Sequence, residues 1–252
     1  MCGRFALTST PKDVLDFVDV DELEAFPPRY NIAPTQPILV VAASERGQPG
    51  SNAPQRRALL ARWGFIPGWA KEPREFPLLI NARAETAVEK ASFKAAMRHR
   101  RILIPASGFY EWRRPPKEAG VKPQAYWIRP RDGGLIAFGG LMETYASAEG
   151  SELDTAAILT TKANAAICGI HDRMPVVVPQ REFSRWLDCK TREPRDVADL
   201  MRPAPDDLFE AVPVSDLVNK VGNMGPDVQT PIILAEPQEP PPKASSAQMS
   251  LF

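Results

Sequence analysis

Short apolar runs, bounded by proline, glycine or polar residues, dominate the hydrophobic pattern of this 252-residue chain. Each run has the length of a β-strand, and runs of this kind are typical of buried strands. The pattern predicts strands at Ile38–Ala42, Ala58–Phe65, Ile102–Ile104, Ala125–Ile128, Leu135–Phe138, Ala156–Leu159 and Pro175–Val178.

Helical stretches are fewer. The segment Pro11–Val18 follows Thr10, a residue type whose hydroxyl oxygen caps helix N-termini. Arg83–Arg101 is rich in alanine, glutamate, lysine and methionine, which favour helix. Two further helices are predicted at Gln180–Leu187 and Pro194–Met201. Because strands and helices do not alternate in a βαβ rhythm, the pattern indicates a β-rich α+β fold.

The apolar pattern continues without a linker or an internal repeat as far as residue 230, so we expect one domain over residues 1–234. Residues 235–252 are first proline-rich and then rich in serine and alanine, a composition typical of flexible tails. This tail carries an apolar cluster at its end, made by Gln248, Met249, Leu251 and Phe252. A tail without a partner rarely exposes such side chains, so the cluster predicts a binding peptide.

Composition and charge limit the binding surfaces, the cellular location and the kinds of cysteine site that we expect. Thirty-one basic residues balance 31 acidic ones, so any nucleic-acid surface must be local. No apolar run approaches the ~20 residues that span a bilayer, and no signal peptide opens the chain, so we expect a cytoplasmic protein without a membrane anchor. The three cysteines lack metal-ligand spacing, which argues against a disulfide framework or a zinc site. We interpret Cys168 and Cys189 as packing residues.

The second residue, Cys2, is the main candidate for chemistry. Removal of Met1 is favoured when residue two is small, and it would leave a cysteine with a free α-amine beside its thiol. Such a 1,2-aminothiol condenses with aldehydes to a thiazolidine ring. With reference pKa values of ~7.7–8.0 for the amine and ~8.5 for the thiol, both groups are partly nucleophilic near neutral pH. The alternative is an accidental cysteine after the start codon.

Five other segments carry polar or aromatic residues that a core does not require. They read YNIAP at 30–34, RWGFIPGW at 62–69, NAR at 81–83, GFYEW at 108–112 and IHDRMP at 170–175. The first is a turn-like entry to a strand, and the third is expected at the end of the apolar run 78–80.

Taken singly, none of these segments is specific. Glu111 lies between Tyr110 and Trp112, either as the outward residue of a strand or as a carboxyl group whose pKa an apolar setting raises for proton transfer. His171 is either a surface residue beside Asp172 or a catalytic residue.

Taken together and in order, the segments MCGRF, YNIAP, RWGFIPGW, NAR, GFYEW and IHDRMP resemble the SOS-response-associated peptidase (SRAP) family of abasic-site processing proteins. The resemblance extends from Cys2 to Asn223 and covers nearly the whole chain except the tail. It implies a single domain with a barrel-like antiparallel sheet core and flanking helices.

The resemblance also implies a function and a set of catalytic residues. Proteins of this family bind single-stranded DNA and become covalently linked to abasic sites through the cysteine that Cys2 matches. Asn81 matches the asparagine that orients the cysteine, Glu111 the general acid and base, and His171 the histidine that assists proton transfer. A peptidase-type (hydrolase) activity, limited to Met1 removal, and a lyase activity are further expectations. No metal or organic cofactor is implied, and we expect a monomer.

The resemblance implies DNA contacts at five further positions. Guanidinium groups form paired hydrogen bonds with phosphate, and an exposed indole stacks on a base. Ala70 stands where some relatives have a second tryptophan, which leaves the stacking geometry open. The expected contacts are Arg4, Trp69, Arg83, Thr160 and Arg173.

The tail pentapeptide at 248–252, QMSLF, resembles the peptide by which bacterial proteins bind the replication sliding clamp. Two rival functions remain. N-terminal-nucleophile amidotransferases also begin Met-Cys-Gly, although their glutamine-binding motifs are not evident here. A non-catalytic reader of damaged or modified DNA would use Cys2 only to line a pocket.

Overall fold

The computed structural model describes residues 2–44, 55–71, 76–116, 122–147 and 149–234. The strands are β1 (Phe5–Leu7), β2 (Arg29–Ile32), β3 (Pro37–Ala43), β4 (Arg56–Trp63), β5 (Asn81–Arg83), β6 (Arg101–Ala106), β7 (Gly108–Arg113), β8 (Gln124–Pro130), β9 (Ile136–Ala146), β10 (Glu152–Lys162), β11 (Arg173–Pro175) and β12 (Phe209–Pro213). The α-helices are α1 (Pro11–Val18), α2 (Ala84–Ala87), α3 (Lys94–His99) and α4 (Phe183–Leu187). Short 3₁₀ helices span Gln180–Glu182, Pro194–Met201, Asp216–Asn219 and Pro226–Gln229.

Helix α1 has the boundaries that its sequence predicts. The Thr10 hydroxyl accepts a hydrogen bond from the backbone N–H of Asp13, and the Asp13 carboxylate accepts one from the backbone N–H of Thr10. This reciprocal capping box stabilises the first turn by about 1 kcal/mol. The helix ends where Asp19 adopts the left-handed conformation, with φ at 54°.

One sheet closes into a barrel. Strand β10 pairs with β4, and the sheet continues through β3 and β6 to β9, which pairs with β10 again. All of these pairings are antiparallel except β4 with β10, which is parallel. The short strands β5 and β11 add to β10 beyond the ring. The expected β-rich fold with a barrel-like core is therefore confirmed, with one parallel pairing in it.

A second sheet, in the order β12-β8-β7-β1-β2, is antiparallel throughout and carries the N-terminus of the described chain. Phe5 of β1 points into the core between the two sheets. Its ring packs edge-on against Trp63 at 5.2 Å and against Phe138 at 5.8 Å between ring centroids. Burial of one such side chain contributes roughly 1.5–3 kcal/mol, so Phe5 anchors the segment that begins at Cys2.

The predicted helix Arg83–Arg101 is wrong as a continuous element. Asn81–Arg83 forms β5 on β10, only the short helices α2 and α3 follow, and Arg101 already belongs to β6. Strand pairing overrides helix propensity at both ends of the segment, because β5 pairs with β10 and β6 pairs with β9. The same pairing explains why the NAR segment is itself a strand rather than the end of one.

Other expectations fare differently. The predicted strands agree with β3, β4, β6, β8, β9 and β10, whereas Pro175–Val178 is offset because β11 covers Arg173–Pro175. The helix at Pro194–Met201 is present as a 3₁₀ helix. The YNIAP segment, expected as a turn-like entry to a strand, begins in β2 and continues into the turn that precedes β3. Cys168 is exposed and is not a packing residue, while Cys189 is half-buried.

In the part of the chain that the structure describes, every helix is too short or too polar to cross a membrane.

Candidate active site

Cys2 lies fully buried just before β1. The backbone carbonyl of Arg4 accepts a hydrogen bond from the Tyr110 N–H at 2.9 Å, which continues the pairing of β1 with β7. The Cys2 thiol also points at this carbonyl, with Sγ 3.7 Å from the oxygen. Burial raises the pKa of the Cys2 thiol well above its usual range, and the nearby Glu111 carboxylate adds to the effect. The thiol is therefore neutral in this state and must lose its proton during any attack.

Asn81 holds the backbone of Cys2. Strand β5 places Asn81 opposite Ile158 of β10, and the Trp63 indole N–H donates to the carbonyl of Ile80 at 2.9 Å. From this position the Asn81 amide nitrogen donates to the Cys2 carbonyl oxygen at 2.8 Å. Its amide oxygen is buried and accepts no hydrogen bond from the described residues. Asn81 therefore fixes the cysteine through its main chain and keeps one acceptor for another donor.

Glu111 is a buried carboxyl group, only 3% exposed, on the central strand of the second sheet. It stands opposite Tyr126 of β8. Burial raises the pKa of Glu111 from its ordinary 4.5 to about 7. The carboxyl group therefore exchanges a proton near neutral pH, as a general acid and base requires.

His171 lies beside this carboxyl group. Its Nε2 atom is 3.9 Å from Oε2 of Glu111, and burial lowers the pKa of the imidazole. The backbone N–H of Arg173 donates to Nδ1 at 3.0 Å. A nitrogen that accepts a hydrogen bond carries no proton, so the neutral ring has its proton on Nε2, which faces Glu111.

The Asp172 carboxylate competes for the same ring nitrogen, with Oδ1 2.9 Å from Nδ1. That contact requires a proton on Nδ1 and excludes the bond from Arg173. The backbone N–H belongs to Arg173, the first residue of β11, where the pairing with β10 begins, whereas the Asp172 side chain is 86% exposed and able to turn into solvent. The backbone donor, which moves less than the exposed carboxylate, therefore sets the tautomer.

These contacts bring the predicted residues together in two linked pairs, Asn81 with Cys2 and His171 with Glu111, and the Glu111 charge acts on the Cys2 thiol. Their catalytic roles stay predictions. The arrangement combines a nucleophile with a proton-exchanging pair in a buried setting. Among the described residues, no three His, Cys, Asp or Glu side chains cluster as metal ligands would.

A model of the family described as SOS response associated peptidase (SRAP) matches residues 1–221. The chain belongs to the SRAP family. This confirms the resemblance that the sequence motifs indicate.

Relatives of this SRAP chain carry informative names. "Abasic site processing protein YoqW" of Bacillus subtilis is 38% identical over 231 residues, which are 90% of this chain and 98% of that protein. "Abasic site processing protein YedK" of Escherichia coli is 32% identical over 240 residues, covering 92% of this chain and 100% of that protein. "Abasic site processing protein HMCES" of Xenopus tropicalis is 29% identical over 283 residues, covering 99% and 84%.

Solved structures share the fold. A crystal structure of a protein from Bacteroides thetaiotaomicron superimposes with a TM-score of 0.76 at 23% identity, covering 92% of this chain and 100% of that chain. A phage-related protein from Bordetella bronchiseptica gives a TM-score of 0.66 at 28% identity, covering 84% and 94%. The barrel and second sheet are therefore the common frame of these proteins and of this SRAP chain.

Two of the five residues predicted to contact DNA lie open on the SRAP chain. Trp69 is 58% exposed, and its ring meets Phe76 edge-on at 5.3 Å between centroids. Arg83 is exposed at the end of β5. Ala70 is buried, so the position of the second tryptophan of some relatives points inward here. Phe76, which packs against Trp69, lies outside the sequence motif that contains Trp69.

The other three residues are bonded to protein atoms. The Arg4 guanidinium donates to the Asn31 side-chain oxygen and to the carbonyl of Val218, both at 2.7 Å. Thr160 is fully buried, and Arg173 is paired with Glu85. Their DNA contacts stay predictions.

Sequence reasoning missed the role of Asn31. This buried side chain donates from its amide nitrogen to the carbonyls of Val218, Lys220 and Asn223, at 3.3, 3.1 and 2.8 Å. With Arg4 it ties the chain from Asp216 onward to β1 and β2. An asparagine at a strand position between apolar neighbours is the signal that indicates such a clamp.

Proposed function

We propose that this SRAP chain acts in abasic-site processing and traps the lesion in single-stranded DNA as a covalent thiazolidine with Cys2. The observation that carries the proposal is a buried Cys2 that Asn81 holds and the Glu111 charge influences, with His171 3.9 Å from the Glu111 carboxyl group, in a family whose relatives are named abasic site processing proteins. Met1 lies outside the described residues, and its removal is part of the proposal because the chemistry needs the α-amine of Cys2.

The first step uses that amine. A ring-opened abasic sugar carries an aldehyde at C1′. The amine nitrogen adds to this carbon, and the carbinolamine loses water to give an imine. Glu111, with its pKa raised to about 7, supplies the proton that water needs to depart and accepts it back afterwards.

The second step uses the thiol. Sulfur adds to the imine carbon while the thiol proton moves to the nitrogen, so the ring closes without loss of any further atom. The net reaction converts the aldehyde and the aminothiol into a thiazolidine and one water. Because burial keeps the Cys2 thiol protonated, the neighbouring Glu111 and His171 carry this proton. Ring closure removes the imine, which is the species that permits β-elimination and strand cleavage.

DNA is held at the open face of the site. Trp69 stacks on a base beside the lesion, and Arg83 pairs with a phosphate. The exposure of both side chains supports these roles. Arg4, Thr160 and Arg173 are proposed as further contacts to the DNA backbone. Their polar groups are already bonded to protein atoms and must exchange these partners for phosphate.

The test mixes the purified protein with single-stranded DNA that contains one abasic site, followed by denaturing gels and intact mass spectrometry. We expect a heat-stable adduct on a chain that lacks Met1, with a mass equal to the two reactants less one water. Cys2→Ala should abolish it. Cys168→Ala is the matched control because it removes an exposed free thiol, and it should react like the wild type.

Two results would overturn the proposal. Noncovalent DNA binding that is unchanged in Cys2→Ala, without any adduct, would indicate a reader of damaged DNA. Glutamine hydrolysis by a chain with a free Cys2 amine and no DNA adduct would indicate an amidotransferase. A peptidase or lyase activity on other substrates is not needed for the proposed reaction.

We propose a separate role for the tail, whose residues lie outside the described part of the chain. Gln248, Met249, Leu251 and Phe252 match the sliding-clamp peptide, and a linker raises the local concentration of a tethered domain at replicating DNA. This would place the protein at the nucleoid in the cytoplasm. Fluorescence anisotropy of the tail peptide with the clamp tests this role. Binding must disappear in the double variant Leu251→Ala/Phe252→Ala for the proposal to stand.

A further inference from the structure

The side chain of Arg173 is used inside the protein. Its two terminal nitrogens donate to the two carboxylate oxygens of Glu85, at 2.7 and 2.8 Å. One of these nitrogens also donates to the backbone carbonyl of Thr160. The Arg173 side chain is only 12% exposed, and its Nε atom is buried. A paired guanidinium–carboxylate contact of this kind fixes orientation as well as distance.

This contact crosses β10, the barrel strand with which both β5 and β11 pair. Strand β11, which contains Arg173, pairs with one edge of β10. Strand β5, which contains Asn81, pairs with the other edge and leads directly into α2, which contains Glu85. The Arg173 side chain therefore passes over Thr160 and connects the segment of His171 to the segment of Asn81.

The backbone of Arg173 extends this connection to the imidazole ring of His171. Its N–H is the donor that holds Nδ1 of His171. We propose that Glu85 is a positioning residue, which acts through Arg173 to keep the proton of His171 on Nε2, toward Glu111. The inference rests on the proposed function for its catalytic consequence, although the tautomer itself is a property of the free protein.

Asp172 makes the tautomer sensitive to this contact. Its carboxylate lies 2.9 Å from Nδ1 of His171. When the Arg173 N–H moves away, this carboxylate accepts a hydrogen bond from Nδ1 and so favours a proton on that nitrogen. Nε2 would then be a bare acceptor facing Glu111, with no proton to pass. A small displacement of Arg173 therefore switches which nitrogen of His171 is protonated.

The first experiment measures the tautomer directly by long-range ¹H–¹⁵N NMR of the imidazole rings at neutral pH. The chain has only two histidines, so the exposed His99 serves as the internal reference. We expect wild-type His171 to be mainly protonated on Nε2, and Glu85→Ala to shift the population toward Nδ1. Glu85→Gln keeps one acceptor oxygen and should fall between the two. Glu89→Ala, which removes an exposed carboxylate just after α2, is the matched control and should leave the spectrum unchanged.

The second readout separates positioning from DNA binding. Glu85→Ala should slow adduct formation about tenfold, a partial loss of acid–base assistance. Its affinity for undamaged single-stranded DNA should stay the same or rise, because a freed guanidinium gains a phosphate ligand. An unchanged His171 spectrum would overturn the proposal, even if the variant has a lower melting temperature. A weaker DNA affinity with an unchanged rate would also overturn it and indicate that Glu85 holds Arg173 ready for phosphate. If the wild type forms no adduct, the proposed function fails, while the NMR comparison still decides the role of Glu85.

Discussion

The side-chain amide nitrogen of Asn81 lies 2.8 Å from the backbone carbonyl oxygen of Cys2, so the asparagine holds the nucleophile through its main chain rather than through its sulfur. The hydrogen bond joins β5, which extends the barrel strand β10, to the segment before β1 of the second sheet. The position of the nucleophile therefore depends on how these two sheets are packed.

Replacement of Asn81 should slow adduct formation, and the loss of its hydrogen bond to Cys2 should cost about 1 kcal/mol of stability. Asn81→Ala removes the only described tether on the Cys2 carbonyl and should lower the rate roughly tenfold, since misplaced reactants lose orientation. Asn81→Asp should be worse, because a carboxylate cannot donate and repels the carbonyl oxygen. Single-turnover kinetics with abasic DNA measure both. Asn164→Ala removes another buried amide, bonded to the carbonyls of Ala204 and Pro205, and is the control that should leave the rate intact.

The buried carboxyl of Glu111 should make stability depend on pH. Its pKa in the folded protein is raised from 4.5 to about 7, so between these values the folded state holds a proton that the unfolded state has lost. The free energy of unfolding should therefore fall as pH rises from about 4.5 to 7, by roughly 3 kcal/mol in total. Glu111→Gln stays neutral and should show a flatter profile and higher stability at pH 8. Urea unfolding at pH 5 and pH 8 checks this, and equal slopes for both proteins would contradict it.

The clamp made by Asn31 should matter for stability. Asn31→Ala leaves the carbonyls of Val218, Lys220 and Asn223 without their buried donor and removes the acceptor of Arg4. Unsatisfied buried groups cost about 1–3 kcal/mol each when water cannot replace the partner, so we expect a loss of roughly 3 kcal/mol in urea unfolding.

The control for this clamp variant is Asn219→Ala, which loses a single exposed hydrogen bond from the Trp112 indole. A loss of about 1 kcal/mol or less is expected for it. Equal effects of the two substitutions would show that Asn31 does not hold the segment.

Sequence patterns predicted the elements whose cap residues and apolar runs lie within the element itself. Helix α1 has a cap, a proline at its first position and apolar spacing within eight residues. Strand β3 is a nearly continuous apolar run, and β10 contains one at Ala156–Leu159. Strands β2 and β7 lie outside the predicted apolar runs and carry buried polar residues, Asn31 and Glu111, whose partners lie far along the chain. A strand that is stabilised by distant partners leaves little trace in its own sequence.

The candidate site shows the same division. The order of the motifs predicted which residues matter, because each motif carries a reactive or polar side chain. It did not predict which atoms meet. That Asn81 binds a carbonyl, and that Arg173 binds Glu85, follows from the strands β5 and β11 pairing with opposite edges of β10.

Trp69 should contribute to DNA affinity without supporting the fold, because more than half of its surface is exposed. Base stacking on an indole is worth about 1–3 kcal/mol, so Trp69→Ala should weaken binding roughly 5- to 150-fold in a Cys2→Ala background that isolates noncovalent binding. Phe76→Ala should have a smaller effect, since Phe76 only holds the edge of the ring. Fluorescence anisotropy at fixed salt measures the affinities, and Leu60→Ala, another exposed apolar residue, is the control. If Trp69→Ala binds DNA like the control, the base must stack elsewhere.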